Sequence, residues 1–326
     1  MIIPTIWMSA IVYACLISIL SIGFTLTYMT AKIPNFAHGT YAGIGIYVVY
    51  TISKILGYSP YIGFPIAFVV GGIISVIIFK LIISVLAKMG RGTIVITIST
   101  LAIQILLTAV LYIYAYWLRS IYKTYALGFL LKDADFTVGG YQGIFPVSVL
   151  ICVVTVISLH YMLTRTKIGI AMRATAESPE LASVLGINTD RIQMVSWFLT
   201  GGLACLAGSM LPLWFMSRPD TGSLIITSIM AGSMLGGLNT IYGAIIGGLG
   251  VGLSEVLVTT WAQNIRIGGV RQLWIGEYRP LVPMIIMIAV LLIEPQGLGG
   301  LLVRLRASDV WKKASSIYKR EGNRGN

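Results

Sequence analysis

The sequence predicts an all-α integral membrane protein, a polytopic bundle of eight or nine transmembrane helices of which two are short or interrupted. Three observations carry this expectation. Of the 326 residues, 57% are apolar and only 10% are charged, against about 45–50% and 25% in soluble domains. The apolar residues gather in runs near the roughly 20 residues that a helix needs to cross a bilayer. Those runs lack the apolar/polar alternation of barrel strands, so each span satisfies its own backbone hydrogen bonds as a helix.

The runs fall in order at about residues 6–28, 36–52, 61–86, 93–117, 144–163, 192–216, 223–235, 241–262 and 281–293. Residues 1–28 lack a basic leading region and a small-residue cleavage site, and read as the first span rather than a signal peptide. The run at 223–235 is short of the roughly 17–25 residues of a full span; the run at 36–52 is short too, and both adjoin glycine-rich or polar stretches. Residues 1–303 are read as one transmembrane domain with a charged loop at 165–191, and 304–326 as a basic tail. The net charge of +12 suits loops and a tail facing anionic lipid headgroups, not nucleic acid. With the 165–191 loop inside, nine crossings place 15 of the 23 lysines and arginines inside; seven of those 15 lie in the tail, so 8 inside face 8 outside without it. Orientation therefore rests on the tail and the loop. Cys15, Cys152 and Cys205 stand singly in apolar segments, with no metal spacing and no expected disulfide.

The loop 165–191 is the most polar stretch between two long apolar blocks, with four basic and three acidic residues. It contains a short helix with readable ends. Ser178 suits the N-cap, Pro179 the first helical position and Gly186 a left-handed stop, and Glu180 lies where the helix dipole favours a negative charge. Leu181, Ala182, Val184 and Leu185 form a small apolar face. Such a helix is either a docking element for a soluble partner or an ordinary solvated loop. Two further places are broken. At 33–50, Pro34 favours an extended residue before it and a helix after it, Asn35 and His38 bring polar groups to the mouth of an apolar run, and Gly39, Gly43 and Gly45 allow a close approach. An interrupted helix at membrane depth lines a cavity or is buried in protein, and its free N–H groups suit an anionic substrate group; the plainer reading has Asn35 and His38 capping a helix at the interface. At 230–252, Gly236, Gly237 and Asn239 break the run, and Gly243, Gly247, Gly248 and Gly252 recur at helix-packing spacing. Short, glycine-interrupted segments in the two halves of a transporter point to its substrate path. Glu255, inside a span, is either a proton or cation site or a structural acceptor; Gln104 has the same two readings, a helix-to-helix hydrogen bond being favoured.

Residues 169–188, G-I-A-M-R-A-T-A-E-S-P-E-L-A-S-V-L-G-I-N, resemble the coupling loop of permease subunits of ABC importers, and more narrowly the branched-chain amino acid permeases of the H type. The phrase N-F-A-H-G at 35–39 and the glycine phrase from 236 are similar to that family as well. The resemblance implies an ATPase subunit received by Arg173, Ala174, Glu177, Ser178, Glu180, Ala182, Gly186 and Ile187. It implies a translocation path bordered by Asn35, Phe36, His38, Gly39, Thr40, Gly43, Gly236, Gly237 and Asn239. The implied partners are ABC ATPase subunits, a second related permease or another copy of this chain, and an extracytoplasmic solute-binding protein. The loops 119–141 and 263–279, the first being the longest external segment, read either as the docking surface for a partner arriving from outside or as plain connectors. Localisation in the cell membrane follows. Thr40 stands where the family usually carries Glu, which leaves urea or a short amide open as cargo beside a branched-chain amino acid. Glu294 stands where it usually carries Arg. The sequence contains no G-x-x-x-x-G-K-[ST] phosphate loop, no Cys/His cluster and no nucleophile elbow, so neither a cofactor nor a catalytic residue is expected. An ion-coupled transporter using Glu255 is the alternative of a different class.

Overall fold

The computed structural model describes residues 4–267, 270–271, 276, 278–294 and 297–299. The basic tail, and Pro295 and Gln296 after Glu294, lie outside the described residues, as does part of the loop 263–279. The chain is almost entirely helical: α1 (Thr5–Ala31), α2 (His38–Tyr50), α3 (Gly63–Ile78), α4 (Ser84–Lys88), α5 (Thr93–Tyr122), α6 (Ile144–Arg165), α7 (Lys167–Glu177), α8 (Pro179–Val184), α9 (Thr189–Met210), α10 (Thr221–Leu224), α11 (Ile226–Gly236), α12 (Ile241–Gln263) and α13 (Leu281–Ile293). Two antiparallel two-stranded hairpins occupy loops: β1 (Thr137–Val138) pairs with β2 (Tyr141–Gln142), and β3 (Arg266–Ile267) with β4 (Val270–Arg271). Among the described residues, seven helices are long and apolar enough to cross a membrane: Thr5–Ala31, Pro60–Lys88, Thr93–Tyr122, Ile144–Arg165, Thr189–Leu213, Ile241–Gln263 and Leu281–Gly299. Seven of the nine expected runs thus form helices of spanning length. The runs at 36–52 and 223–235 form shorter ones. The first becomes α2, extended by a π-helical turn at Thr51–Ile55; the second becomes the shorter helical stretch Thr221–Gly236.

The most buried helix is the first. Of α1, nearly everything from Ala10 to Leu26 is shielded by the chain itself, because α12, α9, α11 and α6 pack around it. An all-round apolar helix surrounded by others needs polar attachments to set its rotation, since apolar contact is as good with lipid as with protein. Those attachments are small hydroxyls. Ser18 donates to the Ile245 carbonyl at 3.2 Å and Ser21 to that of Ile229 at 3.2 Å, Thr27 reaches Thr200 at 2.7 Å, and Thr30 reaches Ser196 at 2.9 Å. Against α12 the backbones themselves touch: a Cβ on Gly248 would stand 2.5 Å from the Ser18 Cα. The outer helices behave differently. Ile94, Ile98, Ile105, Ile113, Ile157 and Leu292 are at least half exposed, the expected outward face of spans whose solvent is hydrocarbon.

Contacts sort the loops onto two ends. At one end Lys88 pairs with Asp190 at 2.9 Å, joining the end of α4 to the first turn of α9. At the other, Trp214 Nε1 donates to Ser9 at 2.9 Å, Phe129 and Ser217 pair backbone to backbone, and Tyr61 donates to Asp135.

Candidate functional site

The loop 165–191 folds into two helices whose starts are each capped by a side chain. Thr166 Oγ1 accepts from the Gly169 N–H at 3.1 Å and opens α7; Ser178 Oγ accepts from the Leu181 N–H at 3.3 Å and opens α8; Asn188 Oδ1 accepts from the Arg191 N–H at 3.0 Å and opens α9. The bend from α6 into α7 is sharp enough that a Cβ on Gly169 would meet the Met162 carbonyl at 2.2 Å. Pro179 is the first residue of α8, and Gly186 stops it at φ +81° with open space around it, as the cap chemistry predicts. Of the eight residues that the resemblance singles out here, Ala182 is buried against the bundle, Ala174, Ser178 and Ile187 are half-buried, and Arg173, Glu177, Glu180 and Gly186 are exposed. The apolar face of α8 is turned outward: Leu181 is 67%, Val184 83% and Leu185 78% exposed.

The first break is a genuine discontinuity. After α1 the chain turns at Lys32 (φ 54°), passes through the non-helical residues Ile33–Asn35, and begins α2 beside Leu20, well inside α1. The Asn35 side-chain oxygen accepts from the Ala37 N–H at 3.1 Å and the Phe36 N–H donates to Thr100 at 3.2 Å, so these two shape the turn. His38 caps nothing. It is fully buried, its Nε2 donates to the Leu20 carbonyl at 2.9 Å, and its ring stands edge-on to Phe24 at 6.0 Å. The interfacial reading of His38 therefore gives way: the residue fastens the start of α2 to the middle of α1. Gly39 meets α10 so closely that a Cβ would sit 2.3 Å from the Gly222 carbonyl, and Gly43 is pressed by Leu111 and Gly222. Thr40 reaches Ser223 at 3.3 Å, and Thr108 of α5 reaches the same hydroxyl at 2.8 Å.

The second break is elsewhere. Gly236 packs on Gly243 across the α11–α12 turn, where a Cβ would come within 2.0 Å of the Gly243 carbonyl, Gly237 takes φ +96°, and Asn239 is exposed. The structure does not bring Gly236, Gly237 and Asn239 against α2. What meets α2 is α10 and the first residue of α11, through Gly222, Ser223 and Ile226. Spacing alone missed Gly222 because its segment, T-G-S-L, carries one glycine and no interruption.

A third cluster lies toward the end that carries Ser9 and Trp214. Glu255 of α12 is 3% exposed and accepts from Arg279 Nε at 2.7 Å and from the Tyr13 hydroxyl at 2.9 Å. The guanidinium carbon stands 3.9 Å over the Tyr13 ring and 5.6 Å from that of Phe215. Burial works against the charge of Arg279, and Tyr13 and Glu255 outweigh it, leaving its pKa above the ordinary arginine value. These residues line a cavity of about 310 Å³ with Leu211, Leu224 and Ile225. The helix-to-helix bond favoured for Gln104 is not made by its Oε1, which takes no hydrogen bond from any described residue. Among the described residues no group of three or more His, Cys, Asp or Glu is placed to hold a metal ion.

The profile of the family described as branched-chain amino acid transport system / permease component matches residues 6–291. The chain is 40% identical over 291 residues, 89% of its length and 90% of the relative's, to a probable branched-chain amino acid transport permease protein LivH of Methanocaldococcus jannaschii. It is 26% identical over 297 residues, 87% and 91% of the two chains, to the high-affinity permease protein BraD of Pseudomonas aeruginosa. The LivH permease of Escherichia coli is 31% identical over 145 residues, covering 44% of this chain and 43% of that one. No solved structure matches the chain significantly. With apolar helices fit to cross a bilayer, a broken helix at their centre and this match over nearly its whole length, the chain is a multi-pass membrane protein and belongs to the branched-chain amino acid transport permease family.

Proposed function

We propose that this chain is the membrane-spanning subunit of an ATP-driven importer of branched-chain amino acids, with the face of α8 as the seat of a separate ATPase subunit. The outward-turned Leu181, Val184 and Leu185 on a helix capped at both ends carry the reading. A soluble loop has no reason to present three large apolar side chains on a rigid support, whereas a partner that moves the loop needs both grip and stiffness. With α8 in the cytoplasm, α2 and the stretch Thr221–Gly236 complete nine traverses. The 13 residues of α2 and five of its π turn reach about 27 Å at ~1.5 Å per residue, close to the ~30 Å hydrocarbon thickness.

Force on α8 passes along a stiff route. The Ile187 N–H is bonded to the Ala182 carbonyl at 3.0 Å, the Asn188 cap follows directly, and α9 then packs on α1, α2 and α3. ATPase dimerisation would tilt α9, and with it the helix α2 that borders the path at His38, Gly39, Thr40 and Gly43. Gly222 and Ser223 join that path; Gly236, Gly237 and Asn239 act instead as the pivot between α11 and α12. A second permease, related or identical, and an extracytoplasmic binding protein seated on the loops 119–141 and 263–279 complete the assembly. An ion-coupled mechanism through Glu255 is less well supported, because Arg279 supplies the countercharge that an intramembrane carboxylate needs and leaves no lone proton carrier.

The test is copurification. Val184→Asp combined with Leu185→Asp should leave the permease inserted in the membrane and reduce recovery of the genomically neighbouring ATPase at least tenfold, with loss of ATP-dependent leucine uptake. Undiminished recovery, or leucine uptake with no nucleotide present, would refute the assignment.

A further inference from the structure

The ion pair between Glu255 and Arg279 is incomplete. A carboxylate and a guanidinium can form two parallel hydrogen bonds, yet here only Oε1 and Nε meet, at 2.7 Å. Glu255 Oε2 and Arg279 Nη2 are buried and take no hydrogen-bond partner among the described residues. Leaving one buried charged acceptor and one buried charged donor unmatched is costly, and because both belong to one ion pair, a single ligand can satisfy both. Both residues line the cavity of about 310 Å³, at the small end of the range of ligand sites. The rest of its wall is apolar at Leu211, Leu224 and Ile225 and polar at Arg218, Thr221 and Ser228.

We propose that this cavity binds the substrate as an α-amino acid zwitterion, the ammonium group at Glu255, the carboxylate at Arg279 and the aliphatic side chain against Leu211, Leu224 and Ile225. An α-amino acid holds a positive and a negative group two bonds apart, which matches one ion pair with an unpartnered oxygen on its acid and an unpartnered N–H on its base. Urea and short amides are neutral and offer neither a cation to Glu255 nor an anion to Arg279, so the pair selects against that cargo. The short helix α10 has two faces. Thr221, Leu224 and Ile225 face the cavity while Gly222 and Ser223 touch α2. Four residues thus separate the cavity from the start of the broken helix, and a small shift of α10 would connect them. This proposal rests on the importer reading and adds a site to it that lies away from the α2 seam.

Binding of radiolabelled leucine to the purified permease–ATPase complex, without the extracytoplasmic binding protein, tests it, with leucinamide (no carboxylate) and 4-methylpentanoate (no ammonium) as competitors. In the wild type each competitor should be at least tenfold weaker than leucine. Glu255→Gln should bring 4-methylpentanoate to within about threefold of leucine, and Arg279→Gln should do the same for leucinamide. Exchanging the two charges (Glu255→Arg with Arg279→Glu) restores a structural ion pair, so it should recover the size-exclusion profile without recovering leucine binding. The proposal is overturned if the wild type binds all three compounds alike, if the exchanged variant binds leucine normally, or if Glu255→Gln keeps the discrimination. ATP-dependent leucine uptake by the wild type, measured in parallel, separates the two levels. Uptake without discrimination removes the site alone; absence of uptake with the ATPase and binding protein present removes the importer reading and the site together.

Discussion

Gly208→Ala is the most direct test of how α9 is coupled to α2. At their crossing a Cβ on Gly208 would lie 2.0 Å from the Ala42 carbonyl oxygen, and on the facing side one on Gly45 would lie 2.0 Å from the Cys205 carbonyl oxygen. Both obstacles are backbone, so neither can swing aside. Reaching ordinary contact at 3.4 Å requires a displacement of 3.4 − 2.0 = 1.4 Å. A gap of only ~0.5–1 Å already forfeits a quarter to a half of each dispersion contact, and the neighbouring hydrogen bond from Cys205 Sγ to the Tyr41 carbonyl, 2.8 Å long, breaks as well. Together these place the cost near the upper end of overpacking, about 3 kcal/mol, or on the order of a hundredfold in the equilibrium. The assay is thermal inactivation of the detergent-solubilised assembly followed by size exclusion. Gly250→Ala is the control, because its Cβ would meet only Leu235 Cδ2 at 3.6 Å, and it should change stability by less than about 0.5 kcal/mol. If the Gly208 and Gly250 variants inactivate at the same temperature, the two helices are not held by this backbone contact and the route from α8 to α2 is wrong.

Gly186→Ala should weaken ATPase recovery without affecting insertion: its φ of +81° costs an alanine about 1–2 kcal/mol while the surrounding space is open, so the penalty is conformational and local. Lys88→Ala should lower stability by less than about 1 kcal/mol, since the Lys88 and Asp190 side chains are 66% and 53% exposed and such pairs are weak; the difference should vanish in ~1 M salt. A larger, salt-independent loss would mean that the α4–α9 contact is buried in the assembled importer. His38→Ala removes a fully buried ring and its bond to Leu20 and should cost about 2–4 kcal/mol, measured as a drop in thermal midpoint; a neutral result would show that α2 is not fastened to α1 through this residue.

Much of the site could be read before any coordinates. Ser178, Pro179 and Gly186 act on their own few neighbours, and the structure shows the cap, the first turn and the left-handed stop at those residues. The same holds for the helical runs, whose ends shifted by only a few residues between sequence and structure, because hydrocarbon allows an isolated backbone no other solution. The reading was weaker where a segment was both short and glycine-rich. Such a stretch can cross, re-enter or form a pivot, and glycine's small size permits close approach without saying to what.

Class, membrane location and the capped element on the 165–191 loop thus follow from local chemistry, namely apolar length, cap residues and charge. Three things did not. That α1 is the buried axis, that α2 meets Gly222 rather than Gly236, and that Glu255 finds Arg279 and Tyr13 were decided only by the packing of helices distant in sequence. The reason is that the bilayer rewards any apolar surface equally and so sets no partner. Partners are chosen by backbone approach at glycines and by a few buried hydrogen bonds, such as the 242 residues of chain that separate Tyr13 from Glu255, and those are properties of the assembled fold.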